Sequence, residues 1–241
     1  MPSTAAPSVM TPSWHHLLFL HWPVEPDAVR ALLPSGVELE LFGGQAYVSF
    51  VPFTMKEVRP HPLLRFAPGH YRFENFHEAN VRTYVRCGEE SGVWFFSLDA
   101  ASAPAVCAAR AWFRLPYFYA DIRLRRQKSE IEYSLRRRWP APLPATCRIR
   151  YSPIGSPAPA KIGALEHFLV ERYTLFSRSR GQLFRGRVQH EPYQIQPVEL
   201  HRCEETCLAA AGIARPDISP IAHYARRVQT QIFPLERVEL S

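Results

Sequence analysis

Lysine is almost missing from this chain. Lys56, Lys128 and Lys161 are the only three, and the other 26 basic residues are arginine, carrying a formal net charge of +7. A Schiff-base mechanism needs a lysine amine with a lowered pKa, and these three sit in polar settings, MKEVR, RQKSE and PAPAKIG, that read as solvated surface. Cysteine is also sparse: five residues without the clustered spacing of a disulfide framework fit reduced thiols in a cytoplasmic protein. No apolar run approaches the roughly 18 residues that would span a bilayer, so no membrane partner is expected. Residues 1–12 have neither a basic start nor an apolar stretch and read as a disordered tail ahead of one domain at 13–241. Nucleophile elbows of the G-x-S-x-G type, phosphate-binding glycine loops and the H-E-x-x-H metal pattern are all lacking. Cys203 and Cys207, four apart on an expected last helix with His201 ahead of them, have no third and fourth ligand at metal spacing. No metal and no cofactor is expected.

What the chain has is β patterning. A short helix is expected at 25–33. A hairpin follows, with runs 37–42 and 45–53 separated by Gly43-Gly44, a pair that accepts positive φ at both positions. A segment rich in Pro, His and aromatics at 59–71 reads either as a cover over a site or as an insertion. Strands at 76–86 and 92–100 pair, and a helix at 102–114 starts on Ser102 as N-cap. Alternation around the turn 126–129 makes another hairpin, continued at 146–151. A helix at 162–173, strands near 177–181, a helix at 204–211 stopped by Gly212, and a last strand between 223 and 238 complete the chain. Strands that mostly pair with their sequence neighbours argue for an α+β fold, a single domain with a curved, mostly antiparallel sheet or partly closed barrel and a few packing helices.

The strand at 76–86 carries the strongest functional signal. Successive side chains point to opposite faces, so Ala79, Val81, Thr83 and Val85 pack while Glu78, Asn80, Arg82 and Tyr84 point together. Such a polar face is either the solvent side of an ordinary antiparallel strand or the lining of a recessed site. Two arginines bear on the choice. Arg110 shares a helical stripe with Val106, Ala109 and Phe113, and Arg172 shares one with Leu165, Phe168, Leu169 and Phe176. Both head inward, and a buried charge needs a carboxylate, backbone carbonyls or an anionic ligand. Glu78, Asp99 and Glu171 are the carboxylates to look for. His190, ending a strand, is a lone histidine that a structural role would also explain.

The stretch Ala109-Arg110-Ala111-Trp112-Phe113-Arg114-Leu115-Pro116-Tyr117 resembles the acetoacetate decarboxylase motif G-R-E-x-x-G-x-P-K, with arginine and proline in register. Glu78, in Phe76-His77-Glu78, resembles that family's upstream glutamate. Over nearly the whole chain, WHHLLFLHWPV, EANVRTYV, GVWFFSLDAAS, FLVERYTLF and VQHEPY resemble the YqjF-type family, an uncharacterised bacterial branch associated with the acetoacetate-decarboxylase-like fold. Tyr117 stands where the decarboxylase motif has its Schiff-base lysine and Ala111 where it has a glutamate, so amine-based decarboxylation is not expected. A phenol among arginines should have its pKa pulled down. The resulting expectation is a pocket for a small carboxylate or oxo acid. Glu78 and Tyr117 would be its acid/base groups in lyase, hydratase or isomerase chemistry, and Asn80, Arg82, Tyr84, Asp99, Arg110 and Arg172 its binding groups.

A different class of function rests on Arg123, Arg125, Arg136, Arg148 and Arg150. Adjacent strands would gather these into a basic face for nucleic acid or another anionic partner. Without interleaved stacking aromatics such a face is more often solvated surface, so nucleic acid is not the expected partner. Exposed sheet edges make a homodimer reasonable.

Overall fold

The computed structural model describes residues 7–58, 75–140 and 144–239. The chain runs β1 (Ser13–Val24), α1 (Pro26–Arg30), β2 (Glu38–Leu39), β3 (Ala46–Lys56), β4 (Phe76–Cys87), β5 (Glu90–Ala100) and α2 (Ala103–Trp112). It continues through β6 (Tyr117–Gln127), β7 (Glu130–Trp139), β8 (Thr146–Pro153), β9 (Ala158–Pro159), α3 (Leu165–Val170) and β10 (Thr174–Ser179). The last elements are β11 (Gln182–His190), β12 (Gln194–Glu205), α4 (Cys207–Ala210), β13 (Ile221–Ile232) and β14 (Glu236–Arg237). The segment at 59–71 lies outside the described residues. No described helix is long and apolar enough to cross a membrane.

One curved sheet takes all the strands, antiparallel except where β5 runs parallel to β6 and to β10. Pairings of β4 with β5 and of β11 with β13 bring the path back on itself, so the sheet curls around two apolar cores. Strands β1, β3 and β4 form the wall between them. On β1, Leu18, Leu20 and Trp22 pack into the first core with Tyr133 of β7 and Ile149 of β8, while Leu17 and Phe19 pack into the second with Leu98, Val106 and Leu169. A strand covered on both faces reads as a continuous buried run rather than an alternation. Strand β3 accordingly stays buried from Ala46 to Met55.

Local chemistry accounts for the turns and ends. Gly43 and Gly44 hold φ of +57° and +82° between the bridged pair Phe42 and Gln45, as the hairpin reading requires. The segment before that turn, however, lies along β4 rather than β3, through Glu38 and Leu39. Ser102 caps α2 by accepting from the Ala105 N–H, and the helix ends at Trp112, two residues early, with Arg114 at φ +55°. Gly92 permits the close parallel approach of β10: a Cβ there would lie 2.6 Å from the Thr174 carbonyl oxygen.

Several expectations need correction. Val9 donates to the Ile232 carbonyl and Thr230 to that of Pro12, so residues 9–12 run beside β13 rather than forming part of a free tail. The helix expected at 162–173 is only the six residues of α3, which leaves Arg172 beyond it and Phe176 on β10. Cys203 belongs to β12 and Cys207 to α4, so the two thiols do not share a helix face. Strand β12 was not anticipated, because Pro197 and its charged outward residues hide a period of two.

Candidate functional site

Between the shared wall, α2 and strands β10, β11 and β13 lies a cavity of about 470 Å³. Its surface is mainly hydrocarbon, from residues such as Leu17, Phe19, Phe53, Leu98, Phe113 and Tyr193, with Trp112 at the exposed edge. Into it β4 sends Glu78, Asn80 and Arg82, the polar face read from the sequence. Because Ala79 and Val81 fill the first core, the alternation forces these three toward the second. All three are buried, Glu78 at 3% and Arg82 at 9% exposure, so this is no solvent face.

Tyr117 opens β6 and donates its hydroxyl to Glu78 Oε2 at 3.1 Å. Burial pushes the Glu78 carboxyl up to about 8, against the stabilising bond from Tyr117 and with help from Asp99. At neutral pH Glu78 therefore carries a proton. The Tyr117 phenol is pushed well above its ordinary value by burial and by Glu78, which reverses the expected lowering. Among the described residues no arginine offsets this shift.

Arg82 donates one Nη2 bond to the Leu169 carbonyl at 3.2 Å and stands 5.8 Å from the Phe19 ring centre. Its Nε, like the Oδ1 of Asn80, is buried without a hydrogen-bond partner, and no carboxylate pairs with it among the described residues. Arg172 also lines the cavity, yet its charge is already met. It bonds Glu40 at 2.6 Å and the Phe168 carbonyl at 2.8 Å, and lies over the rings of Phe168 and Tyr84. Glu40, far away in sequence, replaces the expected carboxylates as its partner. Glu171 instead accepts from the Tyr173 hydroxyl and the Tyr193 N–H.

Three expected site residues fall elsewhere. Tyr84 donates to the Leu169 carbonyl and bonds Ser49 and His21 in a buried network that does not line the cavity. Asp99 points into the other core, where Arg137 of β7 holds it through two 2.7 Å bonds. Arg110 is exposed: the stripe argument fails because its long side chain reaches away from the cavity to the Tyr117 carbonyl of β6 at 2.6 Å. His190 packs against Tyr173 and Tyr193 and is not among the lining residues. Trp14, whose buried Nε1 faces the cavity without a partner, was missed. None of the three lysines lines the cavity.

The arginine-rich strands β6, β7 and β8 are adjacent, as the alternative requires. Two of their five outward arginines have acidic neighbours: Glu132 holds Arg148 and Glu130 lies 3.7 Å from Arg150, while Glu204 holds nearby Arg202. No group of three or more His, Cys, Asp or Glu side chains arranged for a metal occurs among the described residues.

This fold is that of the acetoacetate-decarboxylase-like proteins. An acetoacetate decarboxylase from Legionella pneumophila superposes with a TM-score of 0.61 at 15% identity, covering 99% of this chain and 92% of that one. An acetoacetate decarboxylase-like enzyme from Sphingomonas wittichii RW1 gives 0.62 at 13% identity, covering 100% and 97%. The enduracididine biosynthesis enzyme MppR, complexed with pyruvate, gives 0.65 at 13%, covering 99% and 93%. Within that fold the chain belongs to the DUF2071 family, described as uncharacterized conserved protein, whose model matches residues 11–229. The uncharacterized protein YqjF of Bacillus subtilis (strain 168) is 36% identical over 229 residues, covering 95% of this chain and 92% of the relative.

Proposed function

We propose that the cavity binds a small carboxylate or oxo acid with an apolar body, with the carboxylate on Arg82. The observation that carries this reading is the buried Arg82 guanidinium, which has the Leu169 carbonyl and the Tyr84 hydroxyl beside it, an Nε without a partner, and no counter-charge among the described residues. An isolated buried charge costs several kcal/mol, and an anionic ligand removes that penalty by pairing with it. A cavity of about 470 Å³ is in the range of small-molecule sites, and its hydrocarbon walls favour a ligand with few further polar groups. Asn80 offers the carbonyl of its amide to a ligand hydroxyl.

Along β4, Glu78 lies four residues from Arg82, about 13 Å at the backbone. Both side chains line the same cavity, so a ligand anchored at Arg82 presents to Glu78 an oxo group that its body carries toward that carboxyl. A carboxyl protonated near neutrality can donate its proton, and the ionised form can take one from a carbon beside an oxo group. Tyr117 holds the carboxyl in place by its hydroxyl bond. This chemistry suits enolisation, hydration or isomerisation of an oxo acid. It needs no lysine, and the likeness to a protein complexed with pyruvate is consistent with it.

Isothermal titration against a panel of aliphatic, aromatic and 2-oxo acids tests the reading. Binding by at least one acid, lost in Arg82→Met and kept in Glu78→Gln, is the expected pattern. If every acid that binds does so equally well to Arg82→Met, the site assignment is wrong. Consumption of a bound oxo acid, or exchange of its α-hydrogens with deuterated solvent, should be abolished by Glu78→Gln and slowed by Tyr117→Phe.

A further inference from the structure

A second recess lies on the outer side of α2, at a place where the sheet splits. One edge of β5 is shared: β10 pairs with it at Val93 and Trp94, and β6 takes over from Leu98. Between these pairings residues 95–97 have no strand partner on that edge among the described residues. A crevice of about 370 Å³ opens at this position. Arg110 and Arg114 reach it from α2 and its end, Ser177 and Arg178 from β10, and Trp94 and Phe95 form its floor.

Three features mark this crevice together. No acidic residue lines it, and none of its three arginines makes an ion pair among the described residues. Arg110 donates to the Tyr117 carbonyl, Arg178 donates to Ser35 Oγ at 3.3 Å, and Arg114 lies 4.0 Å from the Phe184 ring centre. On β7 and β8, by comparison, Arg138, Arg148 and Arg150 lie beside Asp121, Glu132 and Glu130. The second feature is Ser177, 3% exposed, whose hydroxyl has no hydrogen-bond partner. An orphaned buried hydroxyl costs about 1–3 kcal/mol and calls for a ligand atom. The third is Arg114 itself, a non-glycine residue at φ +55°. Left-handed backbone costs a residue with a Cβ about 1–2 kcal/mol. The Arg114 guanidinium lies over Phe184 of the main cavity, and Phe95, Arg114 and Leu115 line both spaces.

We propose that this crevice binds a phosphate group, either inorganic phosphate or the phosphoryl end of a larger molecule. Three unpaired guanidiniums exceed the charge of a monocarboxylate and suit a dianion, and guanidinium forks match phosphate oxygens. The Ser177 hydroxyl supplies a further donor. This site is separate from Arg82 and stands whether or not the cavity takes an acid.

The experiment is titration calorimetry of the whole protein with inorganic phosphate and with phenyl phosphate, at low and at physiological salt. Wild type should bind one equivalent, more weakly as salt rises. Arg114→Gly and Arg178→Gln should each weaken binding about tenfold, and Ser177→Ala severalfold. Glycine accepts the backbone at position 114, so unchanged melting of Arg114→Gly shows that its loss of binding is not misfolding. Arg82→Met should bind phosphate as wild type does, which separates this site from the acid cavity. Tighter binding of inorganic phosphate identifies the free ion as ligand, and tighter binding of phenyl phosphate identifies a phosphorylated molecule. Failure of both to bind at millimolar concentration, or equal binding by wild type and all three crevice variants, overturns the proposal.

Discussion

Replacing Glu78 by Gln should make the protein more stable, by an amount that grows with pH. The carboxyl titrates near 4.5 when solvated and near 8 in the fold. Between these values it is protonated in the folded chain and ionised in the unfolded one, so the folded state holds the extra proton. Stability from this group is then complete below pH 4.5 and is lost as pH rises toward 8, at up to about 1.4 kcal/mol per unit. From pH 6.5 to 8 the loss integrates to about 1.7 kcal/mol, about 3–7 °C in melting temperature for a chain of this size. Glutamine keeps the acceptor for the Tyr117 hydroxyl and has no proton to lose. Two histidines work in the opposite sense: half-buried His16 falls to about 4, by burial and then by nearby positive charge, and buried His21 falls well below its ordinary value, chiefly by burial. They are common to both proteins, so the difference between the variant and wild type isolates Glu78. Urea melts at half-unit steps from pH 6.5 to 8 supply the measurement. A gap that stays constant across this range would show that Glu78 is ionised in the fold, and the proton assigned to it would not exist.

Other substitutions separate the cavity from the framework around it. Arg82→Met should leave stability unchanged or raise it by about 1–4 kcal/mol, because it replaces an unpaired buried charge with hydrocarbon; a fall of similar size in urea melts would mean that the guanidinium already has a partner. Asp99→Asn should cost about 3–5 kcal/mol by leaving the Arg137 guanidinium uncompensated in the other core, while calorimetry shows acid binding unaltered. Gly92→Ala should destabilise by at least about 1–3 kcal/mol, since its methyl group meets the Thr174 carbonyl and the Phe176 ring; melting like wild type would show that β10 can slide off β5 freely.

Glu78, Asn80 and Arg82 were legible because a period of two is unambiguous when one face is alanine, valine and threonine. The sequence does not show that the opposite face is buried as well, since that depends on β5 and β10 arriving from residues far along the chain. Arg110 was misread for a related reason: a helical stripe gives the direction of a Cα–Cβ bond, while a guanidinium sits several bonds further out and can turn back. Asp99 and Arg172 found partners, Arg137 and Glu40, at separations that no local pattern encodes. The lysine count, by contrast, was informative on composition alone, and the cavity has none.

The wall shared by the two cores has a consequence for how this family can diversify. On β4 the even-numbered positions 78, 80 and 82 line the cavity, and the odd-numbered 79 and 81 hold the opposite core. Cavity shape and foldability are thus written on one strand in alternating letters. A lineage can rewrite the first set to reshape the cavity while leaving the second untouched, and a library built on the even positions alone should yield folded proteins with altered cavities. A one-residue slip of β4 would exchange the two sets and destroy both properties at once.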